Sequence, residues 1–170
     1  MAIGDFEDDF ETYAGTRLFI GTRPPKIGGN TEAGYEAVSD WAEISINNVG
    51  AYDGLEFSES SISNVSSGRN RTKKGEYTYG DAEFPVLWLP DQPGQIRARN
   101  ASEGSEMYDT LAFAVVDQLD GVSYFSAQVA TFQEAGGGNN DARTGNMTLK
   151  RQSNTIRAVT PVVPVEDTTP

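Results

Sequence analysis

Histidine and cysteine are both missing from this 170-residue chain. Without cysteine there are no disulfides and no thiolate metal sites. Without histidine the commonest general base and the commonest metal ligand are gone, and nucleophilic triads of the Ser/His or Cys/His kind cannot be built. Positive charge is scarce: 13 Lys and Arg stand against 25 Asp and Glu, a net charge of −12. Such a protein repels nucleic acid and anionic membranes rather than binding them. Long apolar runs are lacking too, and none approaches the roughly 18–20 residues that span a bilayer. The acidic start, MAIGDFEDDFETYAG, has neither the basic nor the apolar region of a signal peptide. Synthesis in a cytoplasm is the default expectation, and the Asn-x-Ser/Thr matches at Asn64, Asn70, Asn100 and Asn146 then read as accidental.

What is present is a β-patterned chain of a length that fits one domain with one core. Residues 1–15 form an acidic arm, with Phe6, Phe10 and Tyr13 interleaved among Asp5, Glu7, Asp8, Asp9 and Glu11. It is either a solvated, frayed terminus or a docking arm. A β domain is expected over 16–160. TRLFIGT reads as a strand, and the Pro/Gly-rich 23–34 as a loop. In WAEISINNV, Ala42, Ile44 and Ile46 alternate with Trp41, Glu43, Ser45 and Asn47, the pattern of a half-buried strand. Leu55 and Phe57 are expected inward and Glu56 outward. Glu76–Leu89 reads as one long strand or two short ones, with Gly80 and Pro85 marking a bulge or an edge. Gln92–Ser102 is the expected helix, with Pro93 in its first turn and Gly104 as its cap. Met107–Asp117 and Gly121–Ala135 form a hairpin about an Asp-Gly turn. Asn146–Val159 is the final strand, and residues 161–170 form a Pro-rich tail. The sum is a mainly β fold of two packed antiparallel sheets, sandwich or barrel-like, with one short flanking helix and a long inter-strand loop.

That loop, SSISNVSSGRNRTKKG at 60–75, is the anomaly. It is polar and basic, with Arg69, Arg71, Lys73 and Lys74 clustered in an otherwise acidic chain. A structureless loop of this length inside a compact domain is usually functional or disordered. Nucleic-acid binding would need interleaved aromatics and a less acidic molecule. The acidic residues Asp5–Glu11 of another copy are a better complement, and opposite charges on separate patches favour head-to-tail association into rings or filaments. Other constellations have plainer readings. Asp117 and Asp120 could ligate Ca²⁺, but aspartate is favoured in turns for its backbone hydrogen bonds. Glu7, Asp8 and Asp9 lack the spacing of a calcium loop. Gly136–Gly138 lacks the Gly-Lys-Ser/Thr of a phosphate loop. Glu43, Glu56 and Glu83 are the candidates for a carboxylate-only hydrolase. No catalytic, metal or cofactor site is assigned, and the chain is expected not to be an enzyme.

The order of segments resembles the major tail tube protein of long-tailed, non-contractile bacteriophages and of related gene transfer agents. The resemblance runs from about Gly15 to Val159. It is carried in order by GTRLFIGT, WAEISINNVGAYD, RTKKGEYTYGD, LWLPDQPGQIRA and DQLDGVSYFSAQVATF. The polar helix (Arg97, Arg99, Asn100) and the Gly-Asn linker at 136–140 depart from the pattern. What the resemblance implies is two packed sheets flanked by a helix and hexameric rings stacked into a hollow tube. The long loop, through Arg69, Arg71, Lys73 and Lys74, would reach an adjacent ring, and the tube would carry genome DNA from capsid to host. It implies a protein of the virion tail, assembled in the host cytoplasm, with itself as partner, other tail proteins at the tube ends and no membrane. An acidic bore suits such a conduit, since cations meeting phosphates would slow passage. Glu43, Ser45, Asn47 and Glu56 are candidates to line it. The alternative is a β-sandwich module that recognises a carbohydrate or host surface through Trp41, Tyr77, Tyr79 and Trp88.

Overall fold

The computed structural model describes residues 12–23 and 30–166. In chain order the elements are β1 (Arg17–Ile20), α1 (Glu32–Glu36), β2 (Ala42–Ile44), β3 (Glu56–Asn64), β4 (Arg69–Thr78), β5 (Asp81–Leu87), α2 (Pro93–Glu103), β6 (Leu111–Val116), β7 (Val122–Ala135), β8 (Thr144–Arg151) and β9 (Ile156–Arg157). The fold is mainly β with two antiparallel sheets, as the sequence pattern implies. One sheet has seven strands in the order β2–β1–β6–β7–β8–β5, with β9 on β7; the other is the β3–β4 pair.

The large sheet closes on itself. Past β2 the chain swings across to β5, where Ile46 bridges Val86. Asn47 N–H donates to the Pro85 carbonyl at 2.7 Å, and Leu87 N–H donates to the Ser45 carbonyl at 3.0 Å. Strands at the two ends of the order thus meet, and closure removes the edges that invite aggregation. Gly50 makes the junction possible, since a Cβ there would lie 1.9 Å from the Glu83 carbonyl oxygen. Leu18, Ile20, Ile44, Phe84, Val86, Phe113, Phe125, Met147 and Leu149 form the core on one face of this sheet.

The opposite face of β1, β6 and β7 is apolar as well. Phe19, Trp41, Ala112, Ala114, Val116, Val122 and Tyr124 form a second cluster there. This is why β6, LAFAVV, is buried at every position instead of at alternate ones. Helix α1 and the segment after β9 cover the cluster. Tyr35 of α1 stacks on Tyr124 with ring centroids 5.2 Å apart. The Tyr35 hydroxyl donates to Asn30 Oδ1 at 2.7 Å. Tyr124, pushed up to about 12 by burial and by Glu36 and Glu32 nearby, stays protonated and donates to the Val162 carbonyl. The Glu32 carboxylate accepts the N–H groups of Val159 (3.2 Å) and Thr160 (3.1 Å), which ties α1 to the C-terminal strap.

Helix α2 turns its small residues inward: Gly94, Ala98 and Ala101 are buried together with Gln95. Gly94 is required by proximity, because a Cβ there would lie 2.2 Å from the Glu43 carbonyl oxygen. Gln95 accepts the Leu89 N–H at 3.0 Å and donates to the Leu87 carbonyl. Arg97 Nη1 donates to the carbonyls of Ile20 (2.8 Å) and Asp40 (2.6 Å). The polar helix seats by bonding strand backbone rather than by an apolar stripe.

Several sequence expectations change. Residues 23–34, read as a loop, overlap the start of α1: Thr31 caps this helix by accepting the Gly34 N–H at 3.2 Å, so a glycine that looks like a loop marker is a buried helical position. Trp41, expected on the outer face, is buried at 5% exposure because α1 and its flanks cover that face. The Glu76–Leu89 run breaks at Gly80, which adopts φ +71°, and the two halves belong to different sheets. Leu55 and Phe57, expected inward, are both exposed, since β3 has no core beneath it.

Gly94→Ala is expected to lower stability by about 1–3 kcal/mol through overpacking against β2, measured by chemical denaturation. The two backbone donors hold the Glu32 carboxyl below its ordinary value of 4.5. A depressed carboxylate contributes stability that is full above the ordinary value and is lost as pH falls through the folded one. Glu32→Gln should therefore melt below wild type at pH 7, and the difference should vanish as pH falls below 4.5.

Candidate assembly interface

The β3–β4 hairpin is where the anomalous 60–75 segment lies, and it is not a structureless loop. Asn64 pairs with Arg69, Ile62 with Arg71, Ser60 with Lys73 and Glu59 with Lys74 along a regular antiparallel ladder. The tip is built by local chemistry. Asn64 Oδ1 accepts the Ser66 N–H at 3.0 Å and the Ser66 hydroxyl at 2.7 Å, an Asx turn. Gly68 follows with φ +61°, a conformation open to glycine. At the other end a bulge lies between Phe57 and Glu59. Gly75 faces it, and a Cβ there would lie 2.5 Å from Ser58 Oγ. The glycine of Lys-Lys-Gly is thus the space that the bulge needs.

Every residue of both strands is exposed. Nine strand residues at ~3.3 Å each carry the tip roughly 30 Å from the root. A lone two-stranded hairpin is marginal in water, and this one has no apolar face on the barrel. Alternation puts Arg69, Arg71 and Lys73 on one face as a stripe, opposite Asn64, Ile62 and Ser60. Lys74 instead lies over the Phe57 ring, with Nζ 4.3 Å from its centroid. Among the described residues none of these four cations pairs with a carboxylate; the ion pairs are Arg17–Asp120, Arg143–Glu134, Lys150–Asp81 and Arg157–Asp53. All 25 acidic residues lie outside 60–75.

One side chain holds the root. Arg151 of β8, only 6% exposed, donates from Nη1 to the carbonyl of Gly54, just before β3, and to that of Tyr79, just after β4. Both ends of the hairpin are thus held by a single guanidinium. Among the described residues its Nε and Nη2 have no partner, and burial pulls its pKa below the usual arginine value, opposed by Asp53 and Tyr79. Residues of the sequence pattern did not suggest Arg151, whose carbonyl partners are 97 and 72 positions away. Gln92 was equally silent: its Oε1 accepts the Ser45 N–H and its Nε2 donates to the Ser45 hydroxyl, both at 3.0 Å.

Of the other candidate residues, Asp5, Glu7, Asp8, Asp9 and Glu11 lie outside the described residues. Glu43 sits on β2 opposite Phe19. Ser45 is held to Gln92, while Asn47 is exposed beside the closure. Glu56 opens β3 at the hairpin root, its carboxylate against Gly80. The four are therefore divided among β2, the closure segment and the root. Asp117 spends its carboxylate on its own turn, accepting the N–H groups of Leu119 (2.9 Å) and Gly121 (2.7 Å). The four aromatics of the carbohydrate reading form no common platform: Trp41 and Trp88 pack on opposite faces of the sheet, Trp88 stacking on Phe132 at 5.4 Å. Among the described residues no group of three or more acidic side chains is placed to hold a metal ion.

Neither protein-family models nor curated sequences match the chain. Solved structures do. A chain of the sheath–tube complex of the PVC extracellular contractile injection system superposes with a TM-score of 0.59 at 10% identity, over 93% of this chain and 98% of that one. The SPP1 tail tube superposes with a TM-score of 0.55 at 11% identity, over 84% of this chain and 75% of that one. This is the tail tube fold. The tube-terminating cap of the anti-feeding prophage shares it, with a TM-score of 0.51 at 10% identity, over 86% and 89% of the two chains. Identities this low make the likeness one of backbone path, which is what the motif order in the sequence pointed to.

Arg151→Met should leave the barrel folded, because a similar volume replaces a buried charge, while releasing the two root carbonyls. Hydrogen exchange at residues 55–79 should quicken selectively, with barrel amides unchanged.

Proposed function

We propose that this chain is the structural subunit of a tail tube, assembling as stacked hexameric rings around an acidic bore that delivers genome DNA. The observation that carries this reading is the hairpin. An ordered two-stranded sheet with all residues exposed and, among the described residues, both outer edges unpaired and no ion pair on its cations is an element made for another molecule. The tail tube fold supplies the context and the chain's own acidity supplies the complement. In this reading the hairpin of one copy reaches the adjacent ring through Arg69, Arg71, Lys73 and Lys74, and the acidic arm Asp5–Glu11 is among the surfaces it meets. The protein belongs to the virion tail and is made in the host cytoplasm. Its role is mechanical rather than enzymatic, with other tail proteins closing the tube ends.

Glu43, Ser45, Asn47 and Glu56 remain the proposed bore lining. The closure favours a wider surface. Asn47 lies against Pro85, so the lining would run on into the outward residues of β5, β8 and the end of β7. Glu83, Pro85, Thr131, Gln133, Asn146 and Thr148 line an open depression there. Lys150 on the same face is paired with Asp81 at 2.6 Å. A face of carboxylates, hydroxyls and amides without a free cation among the described residues gives phosphates nothing to hold.

Negative-stain microscopy of the concentrated protein, alone or with its tail partners, should show rings or hollow tubes. A strictly monomeric particle would end the reading. Replacing Arg69, Arg71, Lys73 and Lys74 with Ser should leave the melting curve unchanged and weaken tube elongation; normal elongation at physiological salt would end the inter-ring role of these cations.

A further inference from the structure

Aromatic side chains collect at the root of the hairpin, away from its basic tip. Phe57 and Tyr77 are cross-strand partners with ring centroids 6.0 Å apart. Tyr77 meets Tyr79 edge-on at 5.8 Å. Leu55 precedes them, and Lys74 covers part of the Phe57 ring. Leu55 is 38% exposed, Phe57 38% and Tyr77 54%, and none belongs to either core cluster. An exposed aromatic cluster rimmed by charge is the composition of an interface centre rather than of a solvated surface.

We propose that this patch, Leu55, Phe57 and Tyr77, is the anchor by which a second copy of the chain is held, and that the basic stripe steers the encounter without supplying most of the affinity. The proposal rests on the tube-subunit reading and says where its binding energy lies. Three observations set the division of labour. Exposed ion pairs contribute little and are screened by salt, whereas truncation of central aromatic residues dominates interface energetics. The root is pre-organised by the Arg151 clamp, so its side chains lose less freedom on docking than those of the unsupported tip. The occupant is a second copy because the hairpin that bears the patch carries Arg69, Arg71, Lys73 and Lys74 over a segment, 60–75, without an acid, and the chain itself carries all 25 of its acids outside that segment.

The test uses the full-length protein at two salt concentrations, following the critical concentration for assembly by sedimentation and backbone protection by hydrogen exchange. The double variant Phe57→Ser/Tyr77→Ser is expected to raise the critical concentration by at least roughly 30-fold at both salts. The variant with serine at all four basic positions should raise it less than about tenfold and lose the salt dependence, the signature of steering. Tyr77→Phe, which keeps the ring, should behave as wild type. Trp41 and Trp88 lie in the barrel, so their fluorescence and the melting curve verify folding of each variant independently of the hairpin. Assembly of the double variant at the wild-type concentration overturns the proposal and leaves the tube reading intact. Assembled wild type with unprotected amides around Phe57 and Tyr77 overturns it likewise, and shows the patch to face solvent or a different ligand such as a glycan. Wild type that forms no rings or tubes overturns both readings.

Discussion

The contact between residues 45–47 and β5 is the constraint on which the rest of this molecule depends. It converts a six-strand order with two bare ends into a closed sheet, and it does so with a few backbone hydrogen bonds and one bridge. Two glycines are the condition for it. Gly50 lets the returning chain lie against β5, and Gly94 lets α2 lie against β2. Gln92 and Gln95 then satisfy backbone groups that the swing leaves exposed at Ser45, Leu87 and Leu89. Helix α2 is held by the closure rather than added to a finished barrel, which explains how a helix with small and polar inner residues can be well seated.

Closure also explains why the hairpin stands apart. Once the barrel has sealed its own edges, the residues between Gly54 and Tyr79 have no edge to join and no apolar face to cover. Their ladder is the free one among the described residues, and their side chains follow different rules from those of β6 or β7. Burial selected Leu, Phe, Ala and Val in β6; nothing about folding selects the arginines and lysines of β4. Residues that folding leaves unexplained are where function is read most directly.

Much of the barrel was legible in the sequence and much of the hairpin was not, for the same reason. β5 and the β6–β7 hairpin declare themselves through apolar side chains and an Asp-Gly turn, and α2 through Pro93 and Gly104. Segment order alone pointed to the tail tube fold. The hairpin hid because a strand with no buried face has no period to detect: Ser60, Thr72 and Lys73 suit a ladder as well as a loop. Its charge was visible, its regularity was not. α1 hid because five residues with a glycine inside look like a turn, and the burial of Tyr35 is set by Tyr124, far along the chain. Arg151 carried no signal, since its partners are main-chain carbonyls that any residue could supply.

The Arg151 clamp has a consequence for how such a protein can change over generations. Because one guanidinium holds both ends of the hairpin through backbone carbonyls, it is indifferent to every side chain between Gly54 and Tyr79. Substitutions there need not be compensated in the barrel, and substitutions in the barrel need not be answered in the hairpin. The two parts can drift on separate clocks. A lineage can rewrite the lettering of its hairpin while the scaffold that bears it stays the same.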